Sequence, residues 1–180
     1  VLAIIAADEL GTSVENIRVV PWNTDAVAND SGIAGSRGTR MMIPAAQEAS
    51  IKARNELLNN AAELTGWPVE KLESKDGAVV NTESGDQISW KNLFERIPGR
   101  PVIGRASNKD MSLAEYTTFG AQVAEVHIDP ETGQIHLRRF LSVHDVGTIM
   151  NPIGHQGQIN GSIVTGLGYA LMEELQFDGG

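Results

Sequence analysis

Two glycine-rich stretches hold the residue types best suited to gripping a ligand. The first is Asn29-Asp30-Ser31-Gly32-Ile33-Ala34-Gly35-Ser36-Arg37-Gly38-Thr39-Arg40, lying between an expected strand and a long helix. Small residues let the backbone approach a bound molecule closely. Successive N–H groups at a helix entrance can hold an anion, with Ser36 and Thr39 adding hydroxyls. Arg37 or Arg40 can add a charge-assisted bond to phosphate. The stretch lacks the Gly-Lys-Ser/Thr ending of a Walker A loop, and no Gly-x-Gly-x-x-Gly occurs in it. A flexible loop running into a helix N-cap accounts for the same residues, so both readings stand at this point.

The second stretch runs from His144-Asp145-Val146-Gly147 through Asn151-Pro152 to Gly157-Gln158-Ile159-Asn160-Gly161 and Gly166-Leu167-Gly168, ending at Glu173-Glu174. With Gly154 included, an expected helix carries five glycines, and each costs about 1 kcal/mol against alanine in a helix interior. A face built on Gly157 and Gly161 admits a neighbouring backbone or a bulky planar cofactor. Gln158 offers both donors and an acceptor from the first turn. Tight helix–helix packing is the plainer explanation of the same glycines.

Other candidates carry less. His127 and His136 fall on expected strands and His155 in a helix's first turn, so His144 has no partner at ligand spacing and no metal held by side chains is expected. Ser36, His144 and Asp145 supply the residue types of a hydrolase triad. Position 34, however, is alanine, so Ser36 lacks the pair of glycines, two before and two after, of a nucleophile elbow. Trp22, Trp67 and Trp90 are isolated and read as packing residues.

These stretches must be positioned by α+β architecture with long helices and a mixed or antiparallel sheet. Ala6-Ala7-Asp8-Glu9-Leu10-Gly11-Thr12-Ser13-Val14-Glu15-Asn16-Ile17 repeats weakly as Ala61-Ala62-Glu63-Leu64-Thr65-Gly66-Trp67-Pro68-Val69-Glu70-Lys71-Leu72. Both copies read as a helix end, a glycine where positive φ is free of steric cost, a turn and then a strand. Strands are expected over 17–21, 72–74, 78–81, 119–128 and 134–143, with a tight turn at Asp76-Gly77 and another at Asp129-Pro130-Glu131-Thr132-Gly133. Along 123–128 alternation leaves one side apolar. Helices are expected over 44–65, 90–97 and 152–174, the last started by Asn151 as N-cap and Pro152 at the first position. Segment 98–118 reads as an irregular surface connection. Two lobes follow: 1–97 with the helix–turn–strand repeat, and 98–180 with the strand hairpin and glycine-rich helix.

Composition narrows the function classes. Lys plus Arg number 14 against 23 Asp plus Glu, a net charge of −9, with 41% apolar residues. That balance fits a globular chain and disfavours a nucleic-acid partner, which needs clustered basic residues. With no cysteine, disulfides, iron–sulfur ligation and thiol nucleophiles are excluded from these residues. The opening apolar run Val1-Leu2-Ala3-Ile4-Ile5-Ala6-Ala7 is too short to span a bilayer and lacks a signal peptide's basic start. It reads as the tail of a helix ending at Gly11, and the chain is expected to be a piece of a longer polypeptide. Cytoplasm and periplasm are equally open.

Taken together, Gly120-Ala121-Gln122-Val123-Ala124-Glu125-Val126, the 129–133 turn, His144-Asp145-Val146-Gly147, Asn151-Pro152, Gly157-Gln158, Gly161, Gly166-Leu167-Gly168 and Glu173-Glu174 resemble the molybdopterin-binding large subunit of the xanthine dehydrogenase/aldehyde oxidase family. Upstream, Gly35-Ser36-Arg37-Gly38-Thr39 before an Ala-rich helix resembles that family's cofactor loop. The resemblance covers residues 1–180 in order, as part of a molybdenum cofactor-binding domain.

It implies a molybdenum hydroxylase acting on an aldehyde or N-heterocycle, with molybdenum held by a pterin dithiolene rather than by side chains. Electrons would leave through iron–sulfur centres and FAD in other subunits or domains of an oligomeric parent. By resemblance, the backbone of Ala34, Gly35, Ser36, Arg37, Gly38 and Thr39 faces the cofactor and Gln158 hydrogen-bonds it. The family's general-base glutamate belongs to a segment beyond Gly180, and Glu173-Glu174 match a different family position. The 180 residues are therefore expected to hold at most half a cofactor pocket, with no catalytic residue, no side-chain metal ligand and no bound cofactor of their own. Two rivals remain at this stage: a non-catalytic phosphate- or nucleotide-binding module, and a structural or assembly domain.

Overall fold

A computed structural model describes residues 1–20, 23, 32–107 and 117–179, and the chain divides into two units, Val1–Met111 and Ser112–Gly180. Trp22 and Asn29-Asp30-Ser31 lie outside the described residues. The sheets are antiparallel and accompany long helices, the α+β class expected of the sequence.

In the first unit, α1 (Leu2–Leu10) and α2 (Gly38–Thr65) both end on a left-handed glycine, Gly11 at φ 64° and Gly66 at φ 75°. Each is followed by a short 3₁₀ turn, Val14–Asn16 and Val69–Lys71. The copies then part. After the second turn, β1 (Leu72–Lys75) folds back on β2 (Ala78–Asn81) through Asp76 and Gly77 at φ 50° and 75°, the paired positive dihedrals of a tight hairpin turn. After the first turn, the strand expected over 17–21 does not form: residues 17–20 pair with no strand among the described residues, and Pro21 lies outside them.

A third strand, β3 (Gln87–Ser89), pairs with β2 and was not foreseen. It is too short to show alternation. Ser89 caps α3 (Trp90–Arg96) by accepting from the Asn92 amide. The core is built where α2's C-terminal half meets this sheet: Leu57, Ala61, Leu72, Val79, Ile88 and Leu93, flanked by Trp67 and Trp90. Helix α1 is fixed to α2 by Arg54, which donates to the Glu9 carbonyl and carboxylate at 3.0 and 2.9 Å.

Helix α2 starts earlier than its expected boundary at Pro44, which lies inside it. A proline forfeits one backbone bond, but its fixed φ stays helical, and the first turn is closed by Met41 N–H donating to the Arg37 carbonyl.

The irregular segment after α3 is strapped along α2. Arg100 pairs with Glu63 at 2.8 Å, the Ile103 amide donates to Glu56, and Lys52 donates to the Arg105 carbonyl. Small residues make this approach possible: a Cβ on Gly104 would stand 1.7 Å from the Ala49 carbonyl oxygen. Gly104→Ala is expected to displace the strap and lower stability by about 1–3 kcal/mol. Amide exchange at Ile103, which quickens if the strap lifts, is the check; unchanged exchange and melting would contradict it.

The second unit contains β4 (Phe119–Ile128), β5 (Ile135–Asp145) and α4 (Pro152–Leu171). The strands pair antiparallel with an irregularity at Glu125/Val126. Helix α4 stops short of the expected 174 because the Met172 and Glu173 amides both turn back to the Gly168 carbonyl, and the strand-like residues 175–177 join no sheet.

At the β4–β5 turn, Asp129 accepts from the Glu131 and Thr132 amides. The Glu131 amide first, then the Thr132 hydroxyl and amide, hold its carboxyl below the usual range. A depressed folded-state value means the turn's contribution is complete above the unfolded carboxylate range and is lost as pH falls through the folded value. In a pH titration by NMR, the Glu131 and Thr132 amides should therefore move at lower pH than an ordinary aspartate; movement at the ordinary value would contradict the assignment.

Candidate functional site

The first strip is the loop into α2. Gly35 and Ser36 are both left-handed, at φ 59° and 54°, and Arg37 is the N-cap. For Gly35 this conformation is easy; for Ser36 it is strained, since a Cβ crowds the backbone there. The Arg37 amide closes the turn onto the Ala34 carbonyl at 3.3 Å. Ala34, Gly35, Ser36, Arg37 and Thr39 are exposed and Gly38 is half-buried against Ile33.

Gly38 and Thr39 are therefore the first residues of α2 rather than loop. Their amides sit where an α-helix has no internal acceptor and where its dipole favours negative charge. No acidic residue occupies that first turn, while Arg37 and Arg40 flank it. The strip is set up to receive an anionic or hydrogen-bond-accepting group.

The second strip is one face of α4. The Asn151 side chain accepts from the Gly154 amide at 3.0 Å and Pro152 opens the helix. Ile159, Ile163 and Leu167 recur every fourth residue and are the partly covered side. Gly157 and Gly161 lie on the opposite side by helical spacing. Cβ atoms added at Gly157, Gly161 or Gly166 would meet nothing within 4 Å. These glycines thus make room for no neighbour among the described residues. Gln156 spends its amide on Asn160 at 2.8 Å. The Gln158 side chain is exposed and makes no hydrogen bond among the described residues, beside Gly154 and Gly161 at the i−4 and i+3 positions.

The residues that suggested acid–base work have local duties. His144 Nε2 contacts Ser142 Oγ at 2.6 Å, and the Asp145 carboxylate accepts from the Gly147 amide. Ser142, two residues away on the same strand, is the serine His144 touches; sequence reading passed over it because nothing marks so short a contact. No group of three or more His, Cys, Asp or Glu able to hold a metal occurs among the described residues. The open glycine face and the unpaired Gln158 side-chain amide fit a planar, hydrogen-bonding group. Residues 34–39 belong to the first unit and Gln158 to the second.

Comparison with known proteins gives the class. A family model for the molybdopterin cofactor-binding domain matches residues 1–180. The chain is 30% identical over 188 residues to the 6-hydroxypseudooxynicotine dehydrogenase complex subunit gamma of Paenarthrobacter nicotinovorans, covering 99% of the chain and 23% of the relative. It is 27% identical over 180 residues to a xanthine dehydrogenase molybdenum-binding subunit of Escherichia coli, covering 97% and 24%. The crystal structure of quinoline 2-oxidoreductase from Pseudomonas putida 86 superposes with a TM-score of 0.77 at 26% identity, over 99% of this chain and 24% of that one.

The chain belongs to the molybdopterin cofactor-binding domain family, in the form found in molybdenum-binding subunits of xanthine dehydrogenase type. It spans under a quarter of the length of these relatives.

Among the described residues no helix is long and apolar enough to cross a membrane.

Proposed function

We propose that the chain is part of the large subunit of a molybdenum hydroxylase, and that each of its two strips, taken by itself, is a cofactor-binding surface. In the first unit that surface is the backbone of Ala34, Gly35, Ser36, Arg37, Gly38 and Thr39. In the second it is Gln158 and the Gly157/Gly161 face of α4. The carrying observation is that α4 bears glycines with open space beside them, each a cost of about 1 kcal/mol to the helix that nothing in the described chain offsets.

In this reading the bound molybdenum–pterin supplies redox and Lewis-acid chemistry for hydroxylating an aldehyde or N-heterocycle. The chain's own residues bind and orient. Gln158 donates to or accepts from the pterin edge, the glycine face lets the ring system lie against the helix backbone, and the α2 entrance amides meet an acceptor. No residue of the chain is assigned the proton transfer, which falls to a glutamate outside residues 1–180. The isolated chain is therefore inactive and cofactor-free. Electrons pass to iron–sulfur and FAD-bearing subunits or domains of an oligomeric enzyme. A purely phosphate-binding module or an assembly domain leaves the family match unexplained.

The test uses the intact large subunit. Gly161→Leu should be tolerated by α4, since its Cβ is unopposed, yet should lower molybdenum and pterin content by about tenfold or more, the equivalent of 1–3 kcal/mol of overpacking. Gln158→Ala should lower it by about 2- to 10-fold, one hydrogen bond's worth. Full loading of both variants would refute that role for α4.

A further inference from the structure

The β4–β5 hairpin brings two histidines face to face. His127 and His136 are separated in sequence by the whole 129–133 turn, so spacing alone does not present them as a ligand pair. The register makes them directly opposed residues, which share a face of the sheet with Cβ atoms about 4.5–5.5 Å apart. Their rings stack with centroids 6.3 Å apart and planes at 29°.

Both imidazoles are exposed, and neither makes a hydrogen bond or ion pair among the described residues. The other two histidines differ. His144 Nε2 is engaged by Ser142 Oγ at 2.6 Å, and His155 has no ring neighbour among the described residues. The backbone beneath the opposed pair is held from both sides. Val126/Leu137 and Ile128/Ile135 flank it in the ladder. Beyond them the turn is closed by the Asp129 amide on the Gln134 carbonyl at 2.9 Å and the Gly133 amide on the Asp129 carbonyl at 2.8 Å. The two rings are thus preorganised, which leaves little ordering to oppose a bound ion.

We propose that His127 and His136 together bind one borderline transition-metal ion, of the zinc, copper or nickel class, across the two strands. Imidazole is the side chain that suits these ions. Zn–N bonds of about 2.0–2.1 Å place two ligating nitrogens at most about 4 Å apart, which these exposed rings reach by rotation about their own torsions. Water completes the coordination, since no third His, Cys, Asp or Glu joins the pair among the described residues. Carboxylates do not carry the site. Glu125, two residues before His127 on β4, is directly opposed by Arg139, and the Asp129 carboxylate is occupied by the Glu131 and Thr132 amides. Calcium and magnesium, which need several oxygen ligands, are therefore disfavoured. The pair outbinds either ring alone because the second imidazole is already in place when the first binds, an effective-concentration gain of about 100-fold. The site uses none of residues 34–39, Gln158 or the α4 glycines, so it stands or falls separately from the cofactor reading.

Zinc titration of the intact large subunit against a competing chelator tests it, with His127→Gln, His136→Gln, the double variant and His155→Gln alongside. The expected result is one zinc ion in the wild type whose affinity falls about 100-fold in either single variant. The losses are not additive: the same single ion is lost in either variant and in the double, and His155→Gln keeps it. Identical titrations of all five proteins overturn the proposal. So does a double variant that loses two ions, which would mean two separate sites. Zinc-soaked crystals of the same subunit give a check that needs no substitution. An anomalous peak between the two rings is expected there, and zinc elsewhere as an adventitious ion only overturns the site.

Discussion

Gly11→Ala should destabilise the first unit by about 2–5 kcal/mol, whereas the same change at Gly66 should cost only about 1–2 kcal/mol. Both glycines end a helix in the left-handed conformation, at φ 64° and 75°, so both substitutions incur the backbone cost of placing a Cβ there. Their surroundings separate them. A Cβ on Gly66 meets nothing within 4 Å, while one on Gly11 would lie 2.0 Å from the Ser74 carbonyl oxygen. That contact is backbone against backbone and cannot be relieved by a rotamer change. It sits beside the bond from Ser74 Oγ to the Leu10 carbonyl at 2.6 Å, so the substitution also strains the seam joining α1 to β1. Urea unfolding of the chain, followed by tryptophan fluorescence, would show the midpoint falling further for Gly11→Ala with unchanged slope. Equal shifts would mean that α1 does not dock on β1 as described.

Leu93→Ala should cost about 2–5 kcal/mol, a large part of the roughly 5–15 kcal/mol available to a domain. Leu93 is fully buried in the cluster with Leu57, Val79 and Ile88, and truncation leaves a cavity that the sheet and α2 cannot both close. Leu141→Ala is the matched control. Leu141 is 48% exposed on the β4–β5 ribbon, so in the 180-residue chain its truncation should be nearly neutral. A large effect of Leu141→Ala in the short chain would show that the second unit has a core of its own.

Local chemistry explains what was legible before the structure. Gly11 and Gly66, Asp76-Gly77, the 129–133 turn and Asn151-Pro152 each act within a few residues, and their signals are strong. Features set by distant neighbours were not legible. The 17–20 stretch has a strand's composition and no strand partner among the described residues. Helix α2 runs through Pro44, where a local rule places a boundary. The strap over Ala49 and Ala53 depends on Gly104, a glycine with no turn signal around it. At the candidate site, the glycine clusters and Gln158 stood out by composition and by resemblance to a family. The left-handed Ser36 did not, because nothing in a serine's identity announces positive φ. That the α4 glycines face open space is a property of the fold alone.

Diffraction from crystals of the intact large subunit at the molybdenum absorption edge would test the cofactor assignment most directly. The expected result is one anomalous peak, with a pterin hydrogen-bonded by Gln158. A molybdenum site whose pterin touches neither Gln158 nor the glycine face of α4 would contradict it.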